Sequence, residues 1–150
     1  MKYIAHRGLL EGPDSGLENH PHQIEKALQQ GFDAEVDLWV VDSQLLLGHD
    51  APQYFTDIEF LSKPGLWIHA KNLTALEYLN AIPHALNYFW HESDQFTLTS
   101  RGYIWTYPGK ELTKRSVMVM PETVDSTLGI CKNAECYAIC SDYVLSISQS

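Results

Sequence analysis

This sequence is short of positive charge: 10 Lys and Arg stand against 19 Asp and Glu, a net charge of -9. A chain this acidic lacks the basic patch that nucleic-acid phosphates demand. It also lacks the basic face that adheres to anionic membranes. Neither nucleic acid nor membrane is therefore an expected partner. No run of about 18 apolar residues is present, so no segment reads as a transmembrane helix. The opening MKYIAHRG has neither the long apolar stretch nor the small-residue cleavage site of a signal peptide, which sets the expectation of a cytoplasmic protein. Cysteine is scarce: Cys131, Cys136 and Cys140 are odd in number and miss the C-x-x-C zinc spacing, so they read as structural thiols. Low-complexity tracts, repeats and linkers are absent as well, and 150 residues with 45% hydrophobic content form one domain, residues 1–150.

What is present is a series of short apolar runs, several of them followed by polar turns. Lys2 to Ala5 reads as a strand ending at His6-Arg7-Gly8. A glycine-containing loop leads to a helix from Pro21 to Gln30, with Ile24, Ala27 and Leu28 on one face and Gly31 as its stop. Phe32 to Val41 is a second strand, and Leu45 to Gly48 pairs back on it before His49. Leu66 to Ala70, Ala85 to Trp90, Tyr103 to Tyr107, Val117 to Met120 and Tyr137 to Val144 are further strands, with a short helix over Thr74 to Ile82. Strands alternating with helices predict parallel βα units. A full eightfold barrel needs about 250 residues and rarely fewer than about 200. The expectation is thus an α/β fold, a trimmed TIM-like (β/α) barrel of about seven strands with several helices replaced by loops. The apolar flanks left bare by missing helices are where a homodimer would form.

Chemistry-bearing residues recur where strands end: His6 and Arg7, Glu35 and Asp37, His69 and Lys71, His91, Asp142. Parallel strands gather such ends on one face, where barrel enzymes keep their active sites. Glu35 and Asp37 lie two apart, so they share one face of an otherwise apolar strand. An acidic pair facing inward needs a partner such as a metal ion. Acidic overall, the protein can still hold a phosphate ester where a few cations or a metal concentrate.

The ordered strings I-A-H-R-G, L-E-N, F-D-A-E-V-D-L and L-L-L-G-H-D over residues 4 to 50 resemble the opening of the glycerophosphodiester phosphodiesterases. W-I-H-A-K and I-C-S-D-Y resemble later strands of that family, while residues 84 to 135 match nothing in it. The resemblance implies that His6 and His49 form a catalytic acid–base pair. It implies that Arg7 and Lys71 bind phosphate and that Glu35 and Asp37 hold Mg²⁺ or Ca²⁺. Glu18 and Asn19 stand in the loop that supports the site, with Leu17 in place of the family's proline. His91 is a further candidate for the substrate pocket. His69 occupies the position where the family supplies a third carboxylate to its metal. Imidazole suits Zn, Ni, Fe or Cu better than Mg or Ca, so the ion is open at this point, with Mn²⁺, Co²⁺ and Zn²⁺ standing beside Mg²⁺ and Ca²⁺.

The activity implied is metal-dependent hydrolysis, or cyclising cleavage, of a small soluble phosphodiester such as a glycerol- or sugar-linked phosphate. The competing reading is a phospho-ligand binding module with weak catalysis on the same barrel. The aromatic residues Trp67, Tyr88, Phe89, Trp90, Trp105 and Tyr107 read as core, and His20 and His22 as solvated residues at a helix start.

Overall fold

The computed structural model of the protein describes residues 1–83 and 85–149. His84, read above as a turn residue without a role, lies outside them. The chain opens with β1 (Lys2–Ala5), whose end tightens into a single 3₁₀ turn over His6–Gly8. Helix α1 (Pro21–Gln29) follows, with Pro21 pre-set for its first turn and the His20 ring accepting a hydrogen bond from the His22 N–H. Then come β2 (Asp33–Val41), β3 (Gln44–Leu47), β4 (Tyr54–Thr56) and the one-turn helix α2 (Ile58–Leu61). Next are β5 (Leu66–Ala70), α3 (Leu73–Ala81) and β6 (Tyr88–Phe89). The last third holds β7 (Phe96–Leu98), β8 (Ile104–Thr106), β9 (Ser116–Val119), β10 (Ala138–Ser141) and α4 (Val144–Ser148).

A parallel run, β6-β5-β2-β1-β10-β9-β8, forms the body of one sheet. Antiparallel strands extend it: β3 on β2, β4 on β3, and β7 on β8. This overturns the expected trimmed (β/α) barrel. The protein is a curled, mixed-sheet half-barrel with ten strands and four short helices among the described residues. The reason lies in the connections. The segments between β6 and β9 have no room for crossover helices, and one of them spends Phe96–Leu98 on an antiparallel return instead. Among the described residues no strand ladder joins β6 to β7 or β8, so the sheet does not close on itself.

Two boundaries move by more than one residue. The strand expected over Ala85 to Trp90 is only Tyr88–Phe89, and the last strand stops at Ser141, with Val144 already in α4.

Strand alternation divides the core in two. Val36, Leu38 and Ile68 point to the face covered by helices, where Ile24, Ala27, Ala75, Leu79 and Val144 meet them. Ile4, Trp67, Phe89, Trp105, Val117, Val119, Ala138 and Cys140 form the concave interior, drawn from strands alone. Cys131, Cys136 and Cys140 are free, and Cys131 and Cys140 are buried. Complete burial pushes the Cys140 thiol well above its usual pKa. Among the described residues no helix is long and apolar enough to cross a membrane.

Candidate active site

The concave side of β2 carries Asp33, Glu35 and Asp37 in line, as its two-residue period requires. The parallel register sets Glu35 beside Trp67 and Asp37 beside His69, and His69 beside Phe89. The His69 ring stacks on Phe89 at 5.0 Å. Its Nε2–H donates to the carbonyl of His91 (2.8 Å), which leaves Nδ1 turned to the carboxylates. Nδ1 lies 3.1 Å from Asp37 Oδ1 and 3.8 Å from Glu35 Oε1.

The 3₁₀ turn after β1 forces Arg7 into a left-handed backbone (φ 53°), followed by Gly8 at φ 80°. A side chain on Gly8 would stand 3.1 Å from Ile24 of α1, so the turn needs glycine there. The turn aims the Arg7 N–H at Glu35 Oε2 (3.0 Å). The guanidinium donates to Glu18 Oε2 (2.7 Å) and to His49 Nε2 (3.0 Å). Because arginine can only donate, His49 Nε2 is the acceptor, and its Nδ1–H donates to Asp37 Oδ2 (3.3 Å). His49 reaches this place because Gly48 turns at φ 154°, where a Cβ would strike the Ala51 carbonyl. Trp39 Nε1–H pins the Gly48 carbonyl at 2.6 Å.

Asn19, fully buried and at φ 59°, clamps Asp37 from two sides. Its Nδ2–H donates to Asp37 Oδ2 and its Oδ1 accepts the Asp37 N–H, both at 2.8 Å. Lys71 Nζ stands 3.6 Å from Asp37 Oδ1 and 3.5 Å from His49 Nδ1. Across the curl, His6 Nδ1 pairs with Asp142 Oδ1 at 2.8 Å. Glu122 braces that partner, accepting from the Asp142 N–H (2.9 Å) and the Ser141 hydroxyl (2.8 Å).

The charges shift as these contacts require. Burial pushes the Glu35 carboxyl up, and the neighbouring Asp37 charge adds to the rise. Burial pushes Asp37 the same way, but the His49 hydrogen bond and the Lys71 charge work against it, and Asp37 sits well below the usual carboxylate range. Burial opposes the charged form of His6, yet the Asp142 hydrogen bond and the Glu35 charge prevail and raise it.

His6, Arg7, Glu35, Asp37, His49, His69, Lys71 and His91 line one cavity of about 550 Å³. Glu18 and Asn19 stand behind it, holding Arg7 and Asp37. His91 contributes its backbone carbonyl to His69, while its ring Nε2–H donates to Asp94. His20, expected to be solvated, is half-buried against Tyr54 with ring centroids 4.9 Å apart, while His22 is exposed. Asp142 stood out in the sequence only as a polar strand end, with no role attached. Glu122 gave no signal beyond following the Pro121 that stops β9.

Glu35, Asp37 and His69 each offer a donor atom, all within 4.8 Å of one another. Asp37 Oδ1 is buried without a hydrogen-bond partner, and a neutral His69 would point a lone pair at it. An ion between them satisfies both, so the residues fit a divalent metal. Compared with family models, curated proteins and solved structures, the chain has no match.

Proposed function

We propose that this cavity cleaves a small phosphodiester with the help of a divalent metal ion, and that the chain is a reduced relative of the glycerophosphodiester phosphodiesterases. The observation that carries this reading is the meeting of an incompletely bonded Glu35-Asp37-His69 triad with two cations and two histidines in one cavity. A divalent ion held by the triad would supply charge neutralisation at the phosphoryl oxygens. Lys71 and Arg7 add positive charge beside it, although Glu18 already holds one arm of the Arg7 fork.

The two histidines differ in a way that divides the proton transfers. The His49 Nε2 lone pair is held by the Arg7 guanidinium; once a phosphate draws Arg7 away, His49 is the base that takes the proton of the attacking hydroxyl, from water or from the substrate's own neighbouring alcohol. His6, raised by Asp142 and Glu35, holds its proton and delivers it to the departing alkoxide. Concerted transfer needs one base and one acid, each contributing about 10²–10⁴-fold. Asp142 and Glu122 keep the His6 ring in place.

The test is turnover of bis-(p-nitrophenyl) phosphate and glycerophosphodiesters with Mg²⁺, Ca²⁺, Mn²⁺, Co²⁺ and Zn²⁺ in parallel. With His69 as a ligand, Mn²⁺, Co²⁺ or Zn²⁺ supports more activity than Ca²⁺, and His69→Glu moves the ranking towards Mg²⁺ or Ca²⁺. An unchanged ranking removes His69 from the ligand set. No turnover of any diester with any ion removes the enzyme reading.

A further inference from the structure

The cavity has two unlike walls. The ends of β1, β2 and β5 bring its charged groups. Facing them, β8 and β9 and the turns that follow bring Trp105, Tyr107, Pro108, Val119 and Met120. Trp105 and Val119 are core residues, buried to 4% and 8% exposure, whose remaining surface forms part of that wall. Tyr107 differs: it is 44% exposed, at the mouth, with the His91 ring tilted against it at 5.7 Å. Glu92, exposed on the lining, adds negative charge at the rim.

A phosphoryl group and an ion occupy only the charged side of about 550 Å³, a volume in the range of pockets that enclose whole small-molecule ligands. Against Pro108, Val119 and Met120 the hydroxyls of a polyol find no hydrogen-bond partner, which costs free energy, and the polar groups on this side are few, chiefly Glu92, Tyr107 and Thr123. A second anionic group would meet Glu92 and a chain of net charge -9. A flat apolar group meets neither penalty and buries against the wall.

Resting on the phosphodiester reading of the same site, we infer that the preferred ligand carries an uncharged apolar or aromatic ester group, seated on the Trp105–Tyr107–Met120 wall. Selectivity arises on this side of the cavity, while the charged side reads only the phosphoryl group common to all such ligands.

The probes are phenylphosphonate and methylphosphonate, which share the anionic head and resist hydrolysis, titrated calorimetrically in the same Mn²⁺ buffer. Phenylphosphonate binds the wild type at least about tenfold more tightly, equivalent to about 1.4 kcal/mol. Tyr107→Ala narrows that preference to about twofold, and Tyr107→Phe, which keeps the ring, restores it. Equal affinities for the two probes overturn the apolar subsite while leaving the phosphodiester reading in place. A preference that survives Tyr107→Ala overturns the assignment to this wall. Failure of both phosphonates to bind overturns the subsite and the phosphodiester reading together.

Discussion

The interior of the curl has two ends that use the same kinds of residue to opposite effect. At one end Asp33 is fully engaged: Lys2 Nζ reaches both its oxygens at 2.9 and 3.0 Å, and Trp67 Nε1–H donates to it at 3.0 Å. Around it Trp67, Tyr103 and Tyr137 pack ring against ring. The Tyr103 hydroxyl bonds that of Tyr137, and this bond, with burial, pushes the Tyr137 phenol up to about 12. At the other end of the same strand face, two residues beyond Glu35, Asp37 keeps its Oδ1 without a hydrogen-bond partner among the described residues. Partners were within evolutionary reach, since one end has them. A buried acceptor left open beside cations, in a cavity that admits ligands, is better explained by a guest than by the fold.

If the ends are divided in this way, mutations should separate turnover from stability. The largest effect is at the open end: His6→Ala lowers kcat on the best diester by about 10²–10⁴-fold with the fold intact by circular dichroism, because it removes a proton donor and little core volume. A variant with near-wild-type kcat breaks the assignment. At the closed end the pattern inverts. Asp33→Ala leaves Trp67 Nε1 without its acceptor and lowers unfolding free energy by about 1–3 kcal/mol in urea titrations, with kcat retained. Loss of turnover there at unchanged stability would erase the distinction.

A smaller effect sharpens the open end further. The pKa of His6 is raised on folding, so its stabilising contribution is complete below its unfolded value near 6.5 and is lost as pH rises through the higher folded value. Asp142→Asn, which weakens that pairing, therefore costs more stability at pH 5.5 than at pH 9 in metal-free protein. An equal cost at both pH values would mean that the pair is not ionic.

Much of the open end was legible in the sequence because its residues interrupt apolar strands. Glu35 and Asp37, two apart between Ala34, Val36 and Leu38, had to share a face, and His6, His69 and Lys71 mark strand ends. The short hairpin Leu45–Leu47 on β2 was legible for the same reason: apolar residues resume directly after the Asp42-Ser43 turn. The closed sheet was over-read. Parallel periodicity says which strands exist, not whether the first and last meet, and the run Ala85–Trp90 is long in apolar residues but short in ladder. Strand β7 escaped notice because Phe96–Leu98 is three residues long and partly exposed, although Ser100-Arg101-Gly102 ahead of Ile104 was a turn signal. The Glu122 brace and the Asp142 pairing were illegible for a deeper reason. Each joins segments 19 to 136 residues apart, and no local pattern encodes such a contact. The apolar wall hid in plain view, since Trp105 serves the core with one face and the cavity with another.

We propose that the open end of the curl holds a metal ion and the closed end does not. Calorimetric titration of Mn²⁺ into metal-free wild type, Asp37→Asn and Asp33→Asn tests it directly. One site per chain is expected in the wild type, with unchanged affinity in Asp33→Asn and affinity weakened at least about 100-fold in Asp37→Asn, where the ligating charge is gone. Wild type that binds no Mn²⁺, or an Asp37→Asn variant that binds it as tightly as wild type, would show that the open end is not a metal site.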